Sequence, residues 1–423
     1  MTRSATISAL AATLVFAAFS GVAQEIKTSG ATAAHASYVL DGTLVKPDAN
    51  GEFSPRLIAT TQDGDFDMWL KIPAGATPQI SSTNKTVSGE KFSLVVLIKN
   101  AAVKDGKYKV SYTITAKSPA GEDLTIVKSA TLEGEKPARA DTLASPDVIG
   151  LQFDKTYQTG KYAFSISATD LLADKTVSET ITVEIVDWVA PKPIETEELL
   201  NQAFYTYYIK PSPELLYSMF FSKKLNLEQK SAPYELNFIM LGFFKAAFAK
   251  FDFLIDEILP NFDKFDPLDK SKIILINRLI GRPPIKGDML TPNQIKYQNS
   301  LRNAEFPSAY ESWHKIMGTS QLDMLTGEFY ATGAYRPVRR MMNLFVNRKE
   351  SDFTVKTLES GKRPASGDWN KFNIGMLHIL AVKAVLRLSQ ENDLADQYCV
   401  WAVENKDLPP ESMEIARKFF STP

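Results

Sequence analysis

The sequence predicts an antiparallel β-sandwich followed by an all-helical domain, so the fold class is multidomain, β then α. Three observations predict it. Between residues 92 and 188, apolar residues alternate in steps of two, which is typical of half-buried strands. From residue 197 onward they recur in steps of three and four, which is typical of amphipathic helices. The period changes at Pro191-Lys192-Pro193, because neither proline can extend a β-ladder.

Residues 1–23 have the pattern of a secretory signal. Arg3 supplies a positive charge, residues 7–19 are apolar or small, and Gly21-Val22-Ala23 has small residues at the spacing of a cleavage site. The apolar run is shorter than the ~20 residues that cross a bilayer, and we predict no other membrane span. We expect an exported protein, periplasmic or extracellular, whose signal is cleaved or, alternatively, retained as an anchor.

The composition is that of a folded soluble protein with more than one domain. The chain has 423 residues, of which 44% are hydrophobic and 23% charged, and its net charge is −1. A nearly neutral chain has no overall excess of positive charge that would attract nucleic acid or a membrane, so such binding would require a local patch of charge. The single cysteine, Cys399, excludes an intramolecular disulfide, and we expect it to be a small buried residue.

The sandwich is predicted over residues 61–190. Its strands are expected at residues 92–98, 107–115, 124–132, 161–169 and 177–188. Turn residues separate these strands, for example Lys104-Asp105-Gly106 and Thr159-Gly160. Residues 24–60 are rich in Ala, Ser, Thr and Gly, and they form either a loose N-terminal arm or one or two extra strands.

The stretch TGKYAFSISATDLLADKTVSETITVEI (159–185) resembles the last two strands of immunoglobulin-like and cadherin-like modules of secreted bacterial proteins. The resemblance extends over residues 86–188. It implies an immunoglobulin-like fold and implies no activity. The paired cysteines of antibody domains are absent, so that subgroup is excluded.

One acidic segment has the spacing of a calcium loop. In Asp63-Gly64-Asp65-Phe66-Asp67 the acids alternate, but an EF-hand needs Gly and Glu where Met68 and Ala74 stand. Asp170 and Asp174 could join a calcium site of cadherin type, although the rest of that signature is missing. We therefore interpret Asp63, Asp65 and Asp67 as solvated turn residues, and we expect neither calcium nor another metal or cofactor.

The helical domain is predicted over residues 196–423, after a Pro-rich linker at 191–195. Thr196 is expected to cap the first helix. Residues 349–368 are interpreted as an exposed loop, and the arrangement as solenoid-like or an irregular bundle. The helices are expected at residues 196–209, 213–223, 231–259, 267–280, 308–317, 319–332, 335–347, 369–390, 392–404 and 410–420.

Two stretches of this half, YIKPSPELLYSMFF (208–221) and LDMLTGEFYATGAYRPVRRMMNLF (322–345), resemble helical domains of exported bacterial proteins of unassigned function. In the second we expect a helix, an Ala-Thr-Gly turn and another helix. The resemblance implies no catalytic residue.

Phenylalanine and tyrosine crowd residues 204–265, and this permits two interpretations. They form a thick aromatic core, or some line an exposed groove for a partner helix, a peptide or a glycan. The candidate groove residues are Tyr207, Phe220, Phe243 and Phe251.

Arg336, Arg339 and Arg340 lie at i, i+3 and i+4 of one predicted helix, so they share a face. They are either solvated and paired with acids such as Glu328, or they bind an anion or an acidic partner.

The sequence offers little for catalysis. His314 could act as a base near Glu311, whereas His378 lies in an apolar helix and is expected in the core. Nucleophile, zinc and phosphate-loop motifs are absent. Asp323 and Glu328 could form a glycosidase pair, but five residues apart on one helix they do not share a face well. We assign no catalytic residue.

These observations predict an exported, non-enzymatic cell-envelope protein that contacts an unknown protein partner through its helical domain, with the sandwich as spacer or docking module. The first alternative is a glycan-binding or hydrolytic protein with a site near His314. The second is a purely structural envelope component.

Overall fold

The computed structural model describes residues 25–27, 34–35, 38–41, 43–45, 51–62, 79–135, 142–145, 148–225, 237–303, 310, 319–345 and 348–420. These residues divide into two compact units, with the boundary between Asp187 and Trp188. The first unit contains the β-strands and the second contains the α-helices, so the chain is β then α.

The β unit contains strands that we number in chain order. They are β1 Glu25–Lys27, β2 Ala34–His35, β3 Tyr38–Leu40, β4 Thr43–Val45, β5 Ser54–Thr60, β6 Gln79–Ile80, β7 Lys85–Val87, β8 Lys91–Lys99, β9 Lys107–Lys117, β10 Asp123–Glu135, β11 Thr142–Ala144, β12 Ile149–Gln152, β13 Gly160–Asp170 and β14 Lys175–Val186.

These strands form three sheets. The six-stranded sheet has the order β1-β10-β9-β13-β14-β7, and its central pairs are antiparallel. A five-stranded sheet has the order β12-β8-β11-β2, with β5 also paired to β8, and a three-stranded sheet has the order β4-β3-β6. The two larger sheets contribute side chains to one hydrophobic cluster, so they share a core.

The alternation predicted for β9 is confirmed. Tyr108, Val110, Tyr112 and Ile114 are buried, while the residues between them are exposed or partly exposed. This follows from the pleat, since successive side chains of a strand point to opposite faces of the sheet.

Residues 24–60 are not a loose arm where the structure describes them, because they contribute strands β1 to β5. In particular, β5 pairs with β8 over seven residues and buries Leu57 and Ala59 in the shared core. The Leu57 N–H also donates a hydrogen bond of 2.6 Å to Glu179 Oε2. Of the two interpretations of residues 24–60, the described residues therefore fit that of extra strands, although there are more of them than the one or two expected.

The acids considered for calcium have different outcomes. Asp63 to Asp67 lie outside the described residues. Asp170 is fully buried at the β13–β14 turn, where its carboxylate accepts hydrogen bonds from the backbone N–H groups of Ala102, Leu172 and Ala173. Asp170 thus stabilises the turn.

The helical unit contains helices that we also number in chain order. They are α1 Glu197–Thr206, α2 Pro213–Phe220, α3 Phe238–Lys250, α4 Phe253–Ile258, α5 Pro267–Leu279, α6 Pro292–Asn303, α7 Thr319–Thr332, α8 Tyr335–Met342, α9 Arg348–Glu359, α10 Trp369–Glu391, α11 Asp393–Glu404 and α12 Pro410–Phe420.

The helical unit begins before its first helix. Trp188 was predicted to end the last strand, but β14 ends at Val186, and the Trp188 ring packs against Tyr217 and Phe253 at centroid distances of 5.6 and 6.2 Å. Thr196 caps α1 as predicted, because its hydroxyl accepts a hydrogen bond of 3.2 Å from the Leu199 N–H.

Three helix predictions were wrong. The helix expected at 231–259 is broken between α3 and α4, at Phe251 and Asp252. The helix α6 was not predicted, and α9 occupies most of the segment 349–368 that was interpreted as a loop. Both missed helices are rich in polar residues, so their apolar period is weak.

One helix in the described part, α10, is long and apolar enough to cross a membrane by length and composition, with a mean hydropathy of 1.4 over its most apolar window. Its inner residues, among them Leu377, Ala381 and Val385, are buried in the fold. A core helix of a soluble fold has the same properties, so this finding does not assign a span.

Candidate functional site

The four aromatic residues proposed for an exposed groove are buried. Tyr207, Phe220, Phe243 and Phe251 each expose 0% of their surface. Their rings pack on one another and on neighbours, for example Tyr207 on Phe243 at 5.1 Å and Phe220 on Phe248 at 4.8 Å. The groove hypothesis for these residues was wrong, and the aromatic-core interpretation is confirmed for them.

The physical reason lies in how α3 is enclosed. Adjacent residues of a helix point in different directions, so a helix packed on one side alone would expose one of Phe243 and Phe244. Both are fully buried, and α3 contacts three other helices, α2, α5 and α7. Phe204 and Tyr330 extend the same aromatic cluster.

The three arginines lie on α8, whose opposite side is buried through Val338, Met341 and Met342. The turn before α8 is the predicted Gly333 turn. Gly333 has φ +61°, a conformation that favours glycine, and a Cβ there would lie 2.7 Å from the Tyr208 ring. Its carbonyl accepts a hydrogen bond from the Tyr398 hydroxyl, which fixes the start of α8.

Arg339 is neutralised within the fold. Its guanidinium forms an ion pair with the Asp407 carboxylate at 3.0 Å and donates a hydrogen bond to the Asp407 backbone carbonyl. The Tyr335 hydroxyl donates to the same carboxylate at 3.1 Å. The predicted binding role of Arg339 is therefore not supported, because its charge is already paired with that of Asp407, which lies 68 residues further along the chain.

Arg336 and Glu328 meet around Tyr310. The guanidinium carbon of Arg336 lies 3.7 Å from the centre of the Tyr310 ring, a close cation–π stack. The Tyr310 hydroxyl donates a hydrogen bond of 2.6 Å to Glu328 Oε1. Arg336 is exposed, and no carboxylate of the described chain lies within ion-pair distance of it.

The pKa of the Glu328 carboxyl is raised above its ordinary value. Burial raises its pKa, while the Tyr310 hydrogen bond and the charges of Arg336 and Lys245 oppose that rise. Burial also raises the pKa of the Tyr310 hydroxyl and lowers that of the half-buried Arg340. Among the described residues, the Glu328 carboxyl therefore lies near two cationic groups, Arg336 and Lys245. Glu328 had been considered as an ion-pair partner of the arginines and, together with Asp323, as half of a glycosidase pair.

We call Tyr310, Glu328, Arg336 and Arg340 the arginine cluster. Arg336 and Arg340 are one helical turn apart on α8, and both act electrostatically on Tyr310. Arg336 is the exposed cation of this cluster. An arginine with its fork exposed and its flat face stacked is suited to binding carboxylates or phosphates.

The residues considered for catalysis do not assemble in the described part of the chain. His314 lies outside the described residues, whereas His378 is buried in α10 as predicted, with Nδ1 against the Leu344 carbonyl. Burial lowers the pKa of His378, which favours the neutral ring. Cys399 is fully buried, as expected, and burial raises its pKa, which keeps the thiol protonated.

Within the described ranges, no group of three or more His, Cys, Asp or Glu side chains is arranged to hold a metal ion.

Comparison with known proteins identifies no family. No protein-family profile matches the chain, and no curated protein matches its sequence. Among solved structures, it is similar to a family 123 glycoside hydrolase from Clostridium perfringens, at 12% identity and a TM-score of 0.21, over 40% of this chain and 34% of that one.

Two Bacteroides uniformis structures are also similar at 12% identity. One is a β-glucuronidase, with a TM-score of 0.17 over 38% of this chain and 21% of that chain. The other is β-glucuronidase 2 covalently bound to cyclophellitol-6-carboxylate aziridine, with a TM-score of 0.18 over 67% and 31%. The chain thus spans about a third or less of these proteins, and TM-scores this low carry no functional argument.

Proposed function

We propose that this chain is an exported, non-enzymatic protein of the cell envelope whose helical unit binds an acidic segment of a partner protein. The observation that supports this proposal is the geometry of the arginine cluster. Arg336 is exposed and stacked on Tyr310, and no carboxylate of the described chain lies within ion-pair distance of it. A preorganised guanidinium loses less conformational entropy on binding than a mobile one.

Export is supported by the pattern of residues 1–23, with Arg3 followed by an apolar run and small residues near Ala23. We expect residence in the periplasm or outside the cell. Fractionation of the source cell, with an antibody against residues 24–423, tests this location.

We further propose that the β unit is an immunoglobulin-like spacer or docking module. Antiparallel pairing of β9, β10, β13 and β14 and the core shared by two sheets support this interpretation. For the helical unit we favour an irregular bundle over a solenoid. The helices α3 and α7 are in contact although they are distant in sequence, whereas solenoid repeats contact only their neighbours.

Arg336→Glu is expected to weaken binding of a fluorescein-labelled decaglutamate peptide about tenfold, because one charge-assisted contact is replaced by repulsion. Fluorescence anisotropy with residues 24–423 measures this, and wild-type binding should weaken as salt is added. Arg302→Glu makes the same substitution at an exposed arginine on α6, so it serves as the matched control and should leave the affinity unchanged.

A wild-type chain that does not bind the peptide, or equal losses in both variants, would contradict the arginine cluster as an acidic-partner site. If crosslinking in envelope fractions then joins the chain only to copies of itself, the purely structural alternative gains support.

The hydrolytic alternative, with a site near His314, is favoured by one observation. Glu328 is a half-buried carboxyl whose pKa is raised by burial and which accepts a hydrogen bond from Tyr310. A carboxyl in such a state can act as a general acid. Glu328→Gln separates the two functions. It should abolish any hydrolysis of p-nitrophenyl glycosides, whereas decaglutamate binding should be retained or tightened because a negative charge is removed.

Glu328→Gln also has an expected signature in stability. The folded protein holds the Glu328 proton to a higher pH than the unfolded chain, whose ordinary Glu value is 4.5. The free energy of unfolding should therefore fall as pH rises above 4.5 toward the raised pKa, and then stay level. Urea denaturation at a series of pH values should show a larger fall in the wild type and in the exposed control Glu411→Gln than in Glu328→Gln, where the partly buried Asp323, whose pKa is also raised, still contributes. Parallel curves for all three would show that Glu328 does not titrate abnormally.

A further inference from the structure

The connection between α9 and α10 exposes apolar side chains at the end of a helical hairpin. We call residues 355–371 the hairpin tip. Val355 exposes 41% of its surface, Leu358 54% and Trp369 44%. Nearly all other residues of the tip are exposed as well, so the segment projects from the helical unit instead of lining a cavity.

The base of this hairpin is closely packed. A Cβ on Gly375 of α10 would lie 2.6 Å from the backbone carbonyl carbon of Glu350 in α9, so the two helices are in backbone contact. The Thr354 hydroxyl donates a hydrogen bond of 3.0 Å to the Phe372 carbonyl. Trp369 packs edge-to-face on Phe372 at 5.9 Å, which holds the indole at the tip. The apolar side chains are therefore presented by a preformed support.

Positive charge surrounds the apolar side chains. The tip has four cations, Lys356, Lys362, Arg363 and Lys371, against the two acids Glu359 and Asp368, which gives a net charge of +2. All four cations are exposed, and none forms an ion pair with a described residue. Lys371 also lies 4.5 Å from the centre of the Phe353 ring, so its stem covers part of the hairpin while its charge remains at the surface.

This combination matches the chemistry of a lipid surface. Tryptophan and aliphatic side chains partition into the boundary between headgroups and acyl chains, and exposed lysine and arginine are attracted to anionic headgroups. A small molecule would need a site that encloses it, whereas nearly every residue of the tip is exposed. A fluid bilayer accepts an apolar projection.

We propose that the hairpin tip docks this chain onto the surface of an anionic lipid bilayer. Leu358 and Trp369 enter the interface, and the four cations contact the headgroups. The inference is independent of the arginine cluster, since it rests on α9 and α10 and on a different class of partner.

Co-sedimentation with vesicles tests this inference. The protein is residues 24–423, which keep every helix and strand described above and remove the apolar signal that would itself bind lipid. The probes are vesicles of phosphatidylglycerol and phosphatidylcholine in equal parts, and vesicles of phosphatidylcholine alone. We expect binding to the anionic vesicles to exceed binding to the neutral ones at least about tenfold, and to fall as salt is added.

Two variants locate the contact. Trp369→Ala and the charge reversal Lys362→Glu/Arg363→Glu should each reduce binding to anionic vesicles several-fold, about tenfold for the double reversal. Phe419→Ala removes an exposed aromatic residue from α12 and should bind as the wild type does, and unchanged circular dichroism confirms that each variant is folded. Absence of wild-type binding to anionic vesicles would overturn the proposal. Equal binding by the wild type and both tip variants would also overturn it.

Discussion

Gly242→Ala and Gly327→Ala are each expected to destabilise the helical unit by about 3 kcal/mol or more, the largest effect that we expect from any single methyl group in this chain. The two glycines lie where α3 and α7 cross. A Cβ on Gly242 would lie 2.6 Å from Met324 Cα, and one on Gly327 would lie 2.7 Å from the Phe243 backbone nitrogen. Backbone atoms cannot rotate away, so the helices would have to separate.

Separation would also open the aromatic core that α3 supports. In a free helix, alanine is favoured over glycine by about 1 kcal/mol, so the steric cost has to exceed this gain. The core contacts of Phe243 and Phe244 are lost together with the close approach, which makes the net effect strongly unfavourable.

Urea denaturation followed at 222 nm measures this loss, because the helices of the second unit dominate the signal. Gly287→Ala is the matched control. No atom lies within 4 Å of a Cβ at Gly287, so this variant should be neutral or slightly stabilised. If all three variants behave alike, α3 and α7 are not in backbone contact.

Asp269→Asn is expected to lower the free energy of unfolding by about 3–5 kcal/mol, because it leaves a buried charge without its counter-ion. Asp269 and Lys272 are 6% and 4% exposed in their side chains, and Lys272 Nζ lies 2.7 Å from Asp269 Oδ1 in an ion pair without good hydrogen-bond geometry. Lys272 also donates a hydrogen bond of 2.6 Å to the Phe220 carbonyl. Burial lowers the pKa of Lys272, and Asp269 opposes that effect.

The double variant Asp269→Asn/Lys272→Met tests whether the cost comes from the unpaired charge. It should recover much of the stability lost in the single variant, since no charge then remains at the buried position. Glu391→Gln interrupts the exposed pair of Arg387 and Glu391 in the same unit and should cost less than about 1 kcal/mol. A single variant as mild as this control, or a double variant no more stable than the single one, would contradict the prediction.

The strands of the β unit could be predicted with good boundaries because their burial period is local. In β9 and β13, every second residue is buried in the shared core, and this alternation is visible in the sequence itself. The short strands before residue 60 have no such period. Their place in the sheets depends on pairing with residues far along the chain, as β5 pairs with β8.

The two missed helices, α6 and α9, show which signals are overlooked when helices are predicted from the spacing of apolar residues alone. A capping box was present at the start of α6, where the Thr291 N–H donates to Gln294 Oε1 at 2.9 Å and Pro292 follows as the first helical residue. This signal could have been found. The sequence before α9 carries the same kind of pattern, since Asn347 stands three residues before Glu350. The close packing of Glu350 and Thr354 against Gly375, in contrast, is visible only in the fold.

The candidate site was predicted only in part. The spacing of Arg336, Arg339 and Arg340 correctly placed them on one helix. Their different environments could not be inferred, because Asp407, Tyr310 and Glu328 reach them from other segments of the chain. The aromatic groove hypothesis was wrong for a related reason, since one helix cannot reveal how many others surround it.

The sequence by itself determined the class of each half and the point where the backbone changes from strand to helix, because strand pleat, helical repeat and proline stereochemistry act over a few neighbouring residues. Only the tertiary structure decided which side chains remain accessible and which charges stay unneutralised. Burial and ion pairing depend on segments brought together from distant positions, as Arg339 and Asp407 are, so the two proposed binding surfaces became visible only in the folded helical unit.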